Sequence, residues 1–163
     1  MDLLIDAWAQ RLPQVDLTPL DVMSRLRRAA LRLDRLRSAA FATAGLATWE
    51  FDVLAALRRA DPPHELSPMQ LIELTMIGSA AMTNRIANLT DRGLILRKRN
   101  PRDGRSVIIT LTGEGTAAVD AAMTELVARE AEALAVLDRA ELAALSAMLR
   151  PLMGLERPGH ADA

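Results

Sequence analysis

SPMQLIELTMIGSAAMTNRIANLTDRGLILRKRNPRDGRSVIITLT, residues 67–112, decides the fold. Ser67 ahead of Pro68 and Gln70 is a helix start: a serine oxygen accepts from free N–H groups, proline suits the first turn, and Gln70 completes a capping box. The helix should run to about Thr75. Gly78 permits a tight turn and Ser79 can cap a second helix, whose Met82, Ile86 and Leu89 recur at three- and four-residue spacing and so face a core. The opposite face carries Ala80, Thr83, Asn84 and Ala87, with Ser79 at its start. Side chains this small, or able to hydrogen-bond, enter a major groove without a clash.

Gly93 ends that helix, and the period changes to alternation. Leu94, Leu96 and Lys98 oppose Ile95, Arg97 and Arg99; then Val107, Ile109 and Leu111 alternate with Ile108 and Thr110. Between these two strands, Asn100-Pro101-Arg102-Asp103-Gly104-Arg105 is a strong turn signal that projects Arg102 and Arg105 from a hairpin tip. From Met82 to Arg105 the basic residues are Arg85, Arg92, Arg97, Lys98, Arg99, Arg102 and Arg105, against only Asp91 and Asp103, in a chain of net charge −1. A local excess is enough for phosphate contact, because only the surface facing the nucleic acid has to be positive. Helix pair, turn and basic hairpin in this order read as a helix-turn-helix with a two-stranded wing, a module that binds double-stranded DNA.

The rest of the chain reads as helix. Half of the 163 residues are hydrophobic, yet there are two Phe, two Trp and no Tyr, so the core is built from aliphatic residues in a mainly α fold. Leu3 to Arg11 can form a short first helix with Leu4, Trp8 and Leu12 on one side, and Asp16 to Pro19 reads as a linker. Leu20, Met23, Leu26, Ala30, Leu33 and Leu36 mark a long amphipathic helix, and Thr48 can cap the next, with Phe51, Leu54 and Leu57 inward. Beyond the wing, Thr112 starts another long helix, and a break at Asp138 leads into a last one with Leu142, Leu145, Leu149 and Leu152. These terminal helices have surplus apolar faces and no sheet to cover them. A homodimer in which they interleave accounts for that, and an intramolecular bundle is the simpler competitor. The organisation expected is 1–47 for dimerisation and the side of a ligand site, 48–112 for DNA binding, 113–156 for dimerisation, and a disordered tail at 157–163. A two-fold dimer implies an inverted-repeat operator.

The order of elements, and Asp103-Gly104-Arg105-Ser106 leading through Val107-Ile108-Ile109-Thr110 to Leu111-Thr112, resemble the MarR family of winged-helix transcription regulators. The resemblance implies that Arg105 enters the minor groove beside Asp103, with Lys98 and Arg102 serving the wing. Gly104 stands where many members carry a charge, so one phosphate contact is expected to be missing. A tryptophan-bearing helix at the start, Trp49-Glu50-Phe51-Asp52-Val53-Leu54 and Met82-Thr83-Asn84-Arg85 resemble the urate-responsive branch. That likeness implies a ligand site of Trp8, Asp52, Arg85 and Arg97. The chemistry suits urate, another purine or a small organic acid: an indole stacks on a flat ring, an arginine pairs with an anion, and Asp52 would be displaced from an arginine as the anion binds. Each residue also has a plainer role. Trp8 can cover a dimer core, Asp52 and Arg85 can be a structural ion pair, and Arg97 can touch phosphate.

Enzymatic readings find little support. Without cysteine there is no thiolate site, and His64 and His160 lie in a Pro-rich stretch and the tail, so no catalytic residue, metal cage or cofactor is expected. The start lacks the basic n-region of a signal peptide and no run spans a membrane, so the expected location is the cytoplasm. The expectation is a ligand-relieved repressor. A DNA-binding regulator without a metabolite, and a helical protein-interaction module, stay open beside it.

Overall fold

Helix α3 (Thr48–Arg59) is the element at the centre of the reader's core, and its sequence shows why. Phe51, Val53, Leu54, Ala55, Ala56 and Leu57 are all buried, and a helix apolar on nearly every side has to be covered on every side. In the computed structural model, which describes residues 2–100, 103 and 106–154, with side chains from residue 5 onward, α2 (Thr18–Thr43), α4 (Pro68–Thr75) and strand β3 (Val107–Leu111) provide that cover. Phe41 of α2 stacks on Phe51 with ring centroids 3.9 Å apart. The short α1 (Asp2–Arg11) precedes them.

The reader follows α3. Ser67 caps α4 through the expected box: its Oγ accepts from Gln70 N at 3.2 Å, and Gln70 Oε1 accepts from Ser67 N at 2.8 Å. Then come α5 (Ser79–Asp91) and β2 (Ile95–Arg99), which pairs antiparallel with β3. The sheet has three strands rather than the two expected. Glu65–Leu66 forms a short β1 against β3 (Glu65 opposite Thr110, Leu66 opposite Ile109), in the order β1-β3-β2. Ile95 and Ile109 are fully buried beneath it.

Three local expectations are corrected. Ser79 lies inside α5, and Gly78 is its N-cap with an ordinary extended backbone; the left-handed turn residue is Met76, at φ 54. The cap of α3 is Ala47, whose N–H donates to Glu50 Oε2 at 2.8 Å, and not Thr48. Helix α2 begins at Thr18, so Pro19 belongs to its first turn and not to a linker.

Helix α6 (Gly113–Leu134) starts where expected, with Thr112 Oγ1 accepting from Gly115 N at 2.9 Å. A β-carbon on Gly115 would lie 2.0 Å from the Leu94 carbonyl oxygen, so close packing requires glycine there. Arg58 of α3 forks onto Asp120 of α6 at 2.9 and 3.1 Å. The chain divides into two compact units, Met1–Leu126 and Val127–Ala163. In the second, α7 (Arg139–Leu152) is capped by Asp138, which accepts from Ala140 N and Glu141 N, and no described residue of this unit is buried. The tail expected to be disordered lies outside the described residues. No single helix among those described is long and apolar enough to cross a membrane.

Two stability measurements check this packing. Gly115→Ala should lower the unfolding free energy by about 3 kcal/mol or more, since backbone must move, whereas Gly78→Ala should cost less than about 1 kcal/mol; equal losses in denaturant titrations would contradict the placement of α6. The second concerns Asp120, which hydrogen bonds from Arg58 hold below its ordinary pKa of 3.8, with slight desolvation opposing and the charges of Arg58 and His64 assisting. Stability from a depressed carboxyl is present above 3.8 and is lost as pH falls through the lower folded value. Asp120→Asn should therefore be slightly less stable than wild type at pH 7 and indistinguishable from it in strong acid, the gap being small because the pair is half exposed.

Candidate nucleic-acid interface

Helix α5 divides cleanly into two faces. Met82, Ile86 and Leu89 are buried at 1%, 4% and 0% exposure, while Ser79, Ala80, Thr83, Asn84 and Ala87 are all exposed. The outward face thus matches the groove-reading set drawn from the sequence. Thr83 Oγ1 donates to the Ser79 carbonyl at 3.0 Å, so in the free protein this hydroxyl presents its lone pairs outward. Asn84 brings both a donor and an acceptor.

The cations are not all available to DNA. Arg92 lies beside the buried Glu50, with Nη1 2.5 Å from both carboxylate oxygens, and its Nη2 donates to the Gly45 carbonyl at 2.9 Å. Arg85, half-buried, sits over the Trp49 ring at 5.4 Å. Lys98 lies 3.9 Å from Glu65 on β1, which weakens its claim as a free phosphate contact. Arg97 and Arg99 are exposed on β2. The hairpin closes with Asn100 N donating to the Ser106 carbonyl at 2.9 Å, and Ser106 N and Oγ donating to the Asp103 carbonyl. Asp103 is exposed; Arg102 and Arg105 lie outside the described residues, and so does the expected contact between Asp103 and Arg105.

The four residues expected to hold a ligand are dispersed. Asp52 lines a cleft of about 190 Å³ between α2, α3 and α4, together with Arg37, Arg59, Phe51, Leu74 and Thr75. Trp8 is exposed on α1, Arg97 is exposed on β2, and Arg85 faces Trp49. Among the described residues no hydrogen bond, ion pair or ring contact joins any two of the four, and Asp52 forms no ion pair with Arg85. Sequence reasoning missed Arg37 and Arg59 as the cations that line the cleft with Asp52. It also missed Glu50, although the signal was there: with Val53, Leu54 and Leu57 it falls on one helical stripe, so an acid was being carried into the core.

Comparison with known proteins agrees with this geometry. The MarR family model matches residues 44–106, from the start of α3's approach to the end of the wing turn. The HTH-type transcriptional regulator PecS of Dickeya dadantii (strain 3937) is 34% identical over 146 residues, covering 90% of this chain and 88% of that protein. Among solved structures, Bordetella bronchiseptica BpsR, whose DNA binding is regulated by 6-hydroxynicotinic acid, superposes with TM-score 0.65 at 28% identity over 81% of this chain and 92% of that one. A mutant MarR from E. coli complexed with operator DNA gives TM-score 0.67 over 85% and 99%, and at 23% identity it speaks for the fold alone. The chain belongs to the MarR family of winged-helix transcription regulators, which are DNA-binding proteins and not enzymes.

Proposed function

We propose that this protein is a homodimeric cytoplasmic repressor that reads an inverted-repeat operator through α5 and the wing and is released by a small organic acid. The observation that carries the reading is the exposed face of α5: Ala80, Thr83, Asn84 and Ala87, entered from Ser79, with a buried stripe behind them. Arg105 goes to the minor groove with Asp103 orienting it, Arg102 and the exposed Arg97 face phosphate, and Lys98, 3.9 Å from Glu65, serves the wing beside them. Residues 1–47 and 113–156 supply the dimer. In support, Leu20, Val22, Met23, Leu31 and Leu33 of α2 and Leu145, Met148 and Leu152 of α7 are large apolar side chains left exposed in the single chain. Two copies of α5 about 34 Å apart then meet successive major grooves.

For the effector, the cleft beside Asp52 offers what a single-ring acid needs. Arg37 and Arg59 pair with a carboxylate, Phe51 and Leu74 cover a ring, and the volume is below the roughly 300–1,000 Å³ of drug-sized clefts. An entering anion competes with Asp52 for the arginines, which is the differential interaction a switch requires. The regulation of the structural relative BpsR by 6-hydroxynicotinic acid points to the same class. Urate or another purine is the alternative occupant, and it would draw on Trp8, Arg85 and Arg97, which a single chain does not bring to Asp52.

Selection of duplexes from a random-sequence pool by the purified protein should return an inverted repeat. On that operator Asn84→Ala should lose sequence preference, and Arg105→Ala should flatten the log–log salt dependence by about 0.9. Selected sequences without symmetry would remove the dimeric reader. Titrating the operator complex with 6-hydroxynicotinic acid, related aromatic acids, urate and other purines should release DNA for one compound, and Asp52→Asn or Arg59→Ala should abolish release while operator binding persists. Indifference to every compound would leave a regulator without a metabolite.

A further inference from the structure

The C-terminal end of α5 is held by a charge where the rest of the helix is held by apolar packing. Met82, Ile86 and Leu89 set how far α5 lies from the core, but apolar contact is non-directional and leaves the helix free to roll. Arg92, the C-cap of α5, removes that freedom. Its guanidinium reaches the Glu50 carboxylate with one nitrogen and the Gly45 carbonyl with another, a fork that fits one orientation only. Glu50 is in turn fixed, being 5% exposed and accepting from Ala47 N as well as from Arg92. Both anchors belong to the elbow between α2 and α3, where Gly45 adopts φ +68 and Phe41 stacks on Phe51.

We propose that Glu50 and Arg92 are a positioning pair: the contact sets the roll of α5 on the α2–α3 elbow and thereby the discrimination between operator and random DNA. The inference rests on α5 being the groove-reading helix. It separates two roles for an arginine in a basic stretch. A phosphate contact strengthens binding to any duplex, whereas a positioning arginine matters only where base edges must be met in register.

The experiment uses the full chain, an operator selected from a random duplex pool by the wild type, and a random-sequence duplex. Affinity for both is measured across a salt series for wild type, Arg92→Lys, Arg92→Ala, Glu50→Gln and the double variant Glu50→Gln with Arg92→Ala, each confirmed folded by its melting curve. Thr83→Ala and Asn84→Ala test α5 itself. Expected is a loss of about tenfold or more on the operator for Arg92→Ala and for Glu50→Gln, no further loss in the double variant, and unchanged affinity and salt slope on random duplex. Should Arg92→Ala fail to fold because it strands a buried carboxylate, Arg92→Lys and Glu50→Gln carry the comparison, and each should weaken operator binding alone. The inference is overturned if Arg92→Ala weakens both duplexes equally and lowers the salt slope while Glu50→Gln does nothing, or if folded pair variants bind the operator like wild type while Thr83→Ala and Asn84→Ala weaken it. If those two face variants are silent, the assignment of α5 as reader fails, and the inference falls with it.

Discussion

Reader, wing and the long helix α6 meet at one carbonyl group, that of Leu94. It accepts from Thr112 N at 3.1 Å and lies against Gly115, whose missing side chain lets the backbone of α6 come within van der Waals reach. The Thr112 hydroxyl completes the joint, donating to the Gly93 carbonyl at 2.8 Å and accepting from Gly115 N at 2.9 Å. The last turn of α5, the first residue before β2, the end of β3 and the start of α6 are therefore one hydrogen-bonded knot. These bonds hold the first turn of α6 against the end of the reader. For the dimer proposed above that joint has a consequence: half-site spacing could be no more exact than the joint between reader and α6.

Charge is distributed by the same logic. Counted along the sequence, the stretch from Met82 to Arg105 carries seven cations, yet the fold turns three of them inward or sideways: Arg85 onto Trp49, Arg92 onto Glu50 and Lys98 toward Glu65. Among the described residues of that stretch, Arg97 and Arg99 on β2 face outward. A sequence-level charge excess thus overstates the phosphate-facing charge, because an arginine beside a recognition helix can serve the helix as well as the DNA.

Elements with a period of their own were legible in the sequence, and elements that exist only through a partner were not. The stripe of Met82, Ile86 and Leu89, the box of Ser67 and Gln70, and the break at Asp138 are local, so neighbouring residues suffice to specify them. Strand β1 is two residues long and has no alternation to detect; Glu65 and Leu66 are extended because β3 offers them a ladder. Glycine misled at Gly78, where an ordinary backbone needs none, while Met76 takes the left-handed position that propensity would assign to glycine. The exposure of Ser79, Ala80, Thr83, Asn84 and Ala87 was legible because it is the complement of a core stripe on one helix. Residue types for a ligand site could be named, but Arg37 reaches the cleft of Asp52 only through the way α2 crosses α3, whereas Arg59 lies seven residues on from Asp52 on α3 itself and could have been read from the helical period; Trp8, Arg85 and Arg97 lie elsewhere.

The placement of Asp52 and Glu50 on one helix gives regulation a short route. The two acids are two residues apart on α3, and they face different business: Asp52 lines the cleft with Arg37 and Arg59, while Glu50 is buried against Arg92 at the end of α5. Helix α3 is covered on nearly every side, so it moves as a rigid body or not at all. Were the proposed anion to enter the cleft, its charge beside Asp52, Arg37 and Arg59 would change the forces on α3 in its first turns, where Glu50 also sits. A small rotation there reaches Arg92 directly, and a forked contact tolerates little rotation before it breaks. On the proposed reading no chain of intermediaries between effector and reader would be needed, since one helix carries a carboxylate at the cleft and another at Arg92.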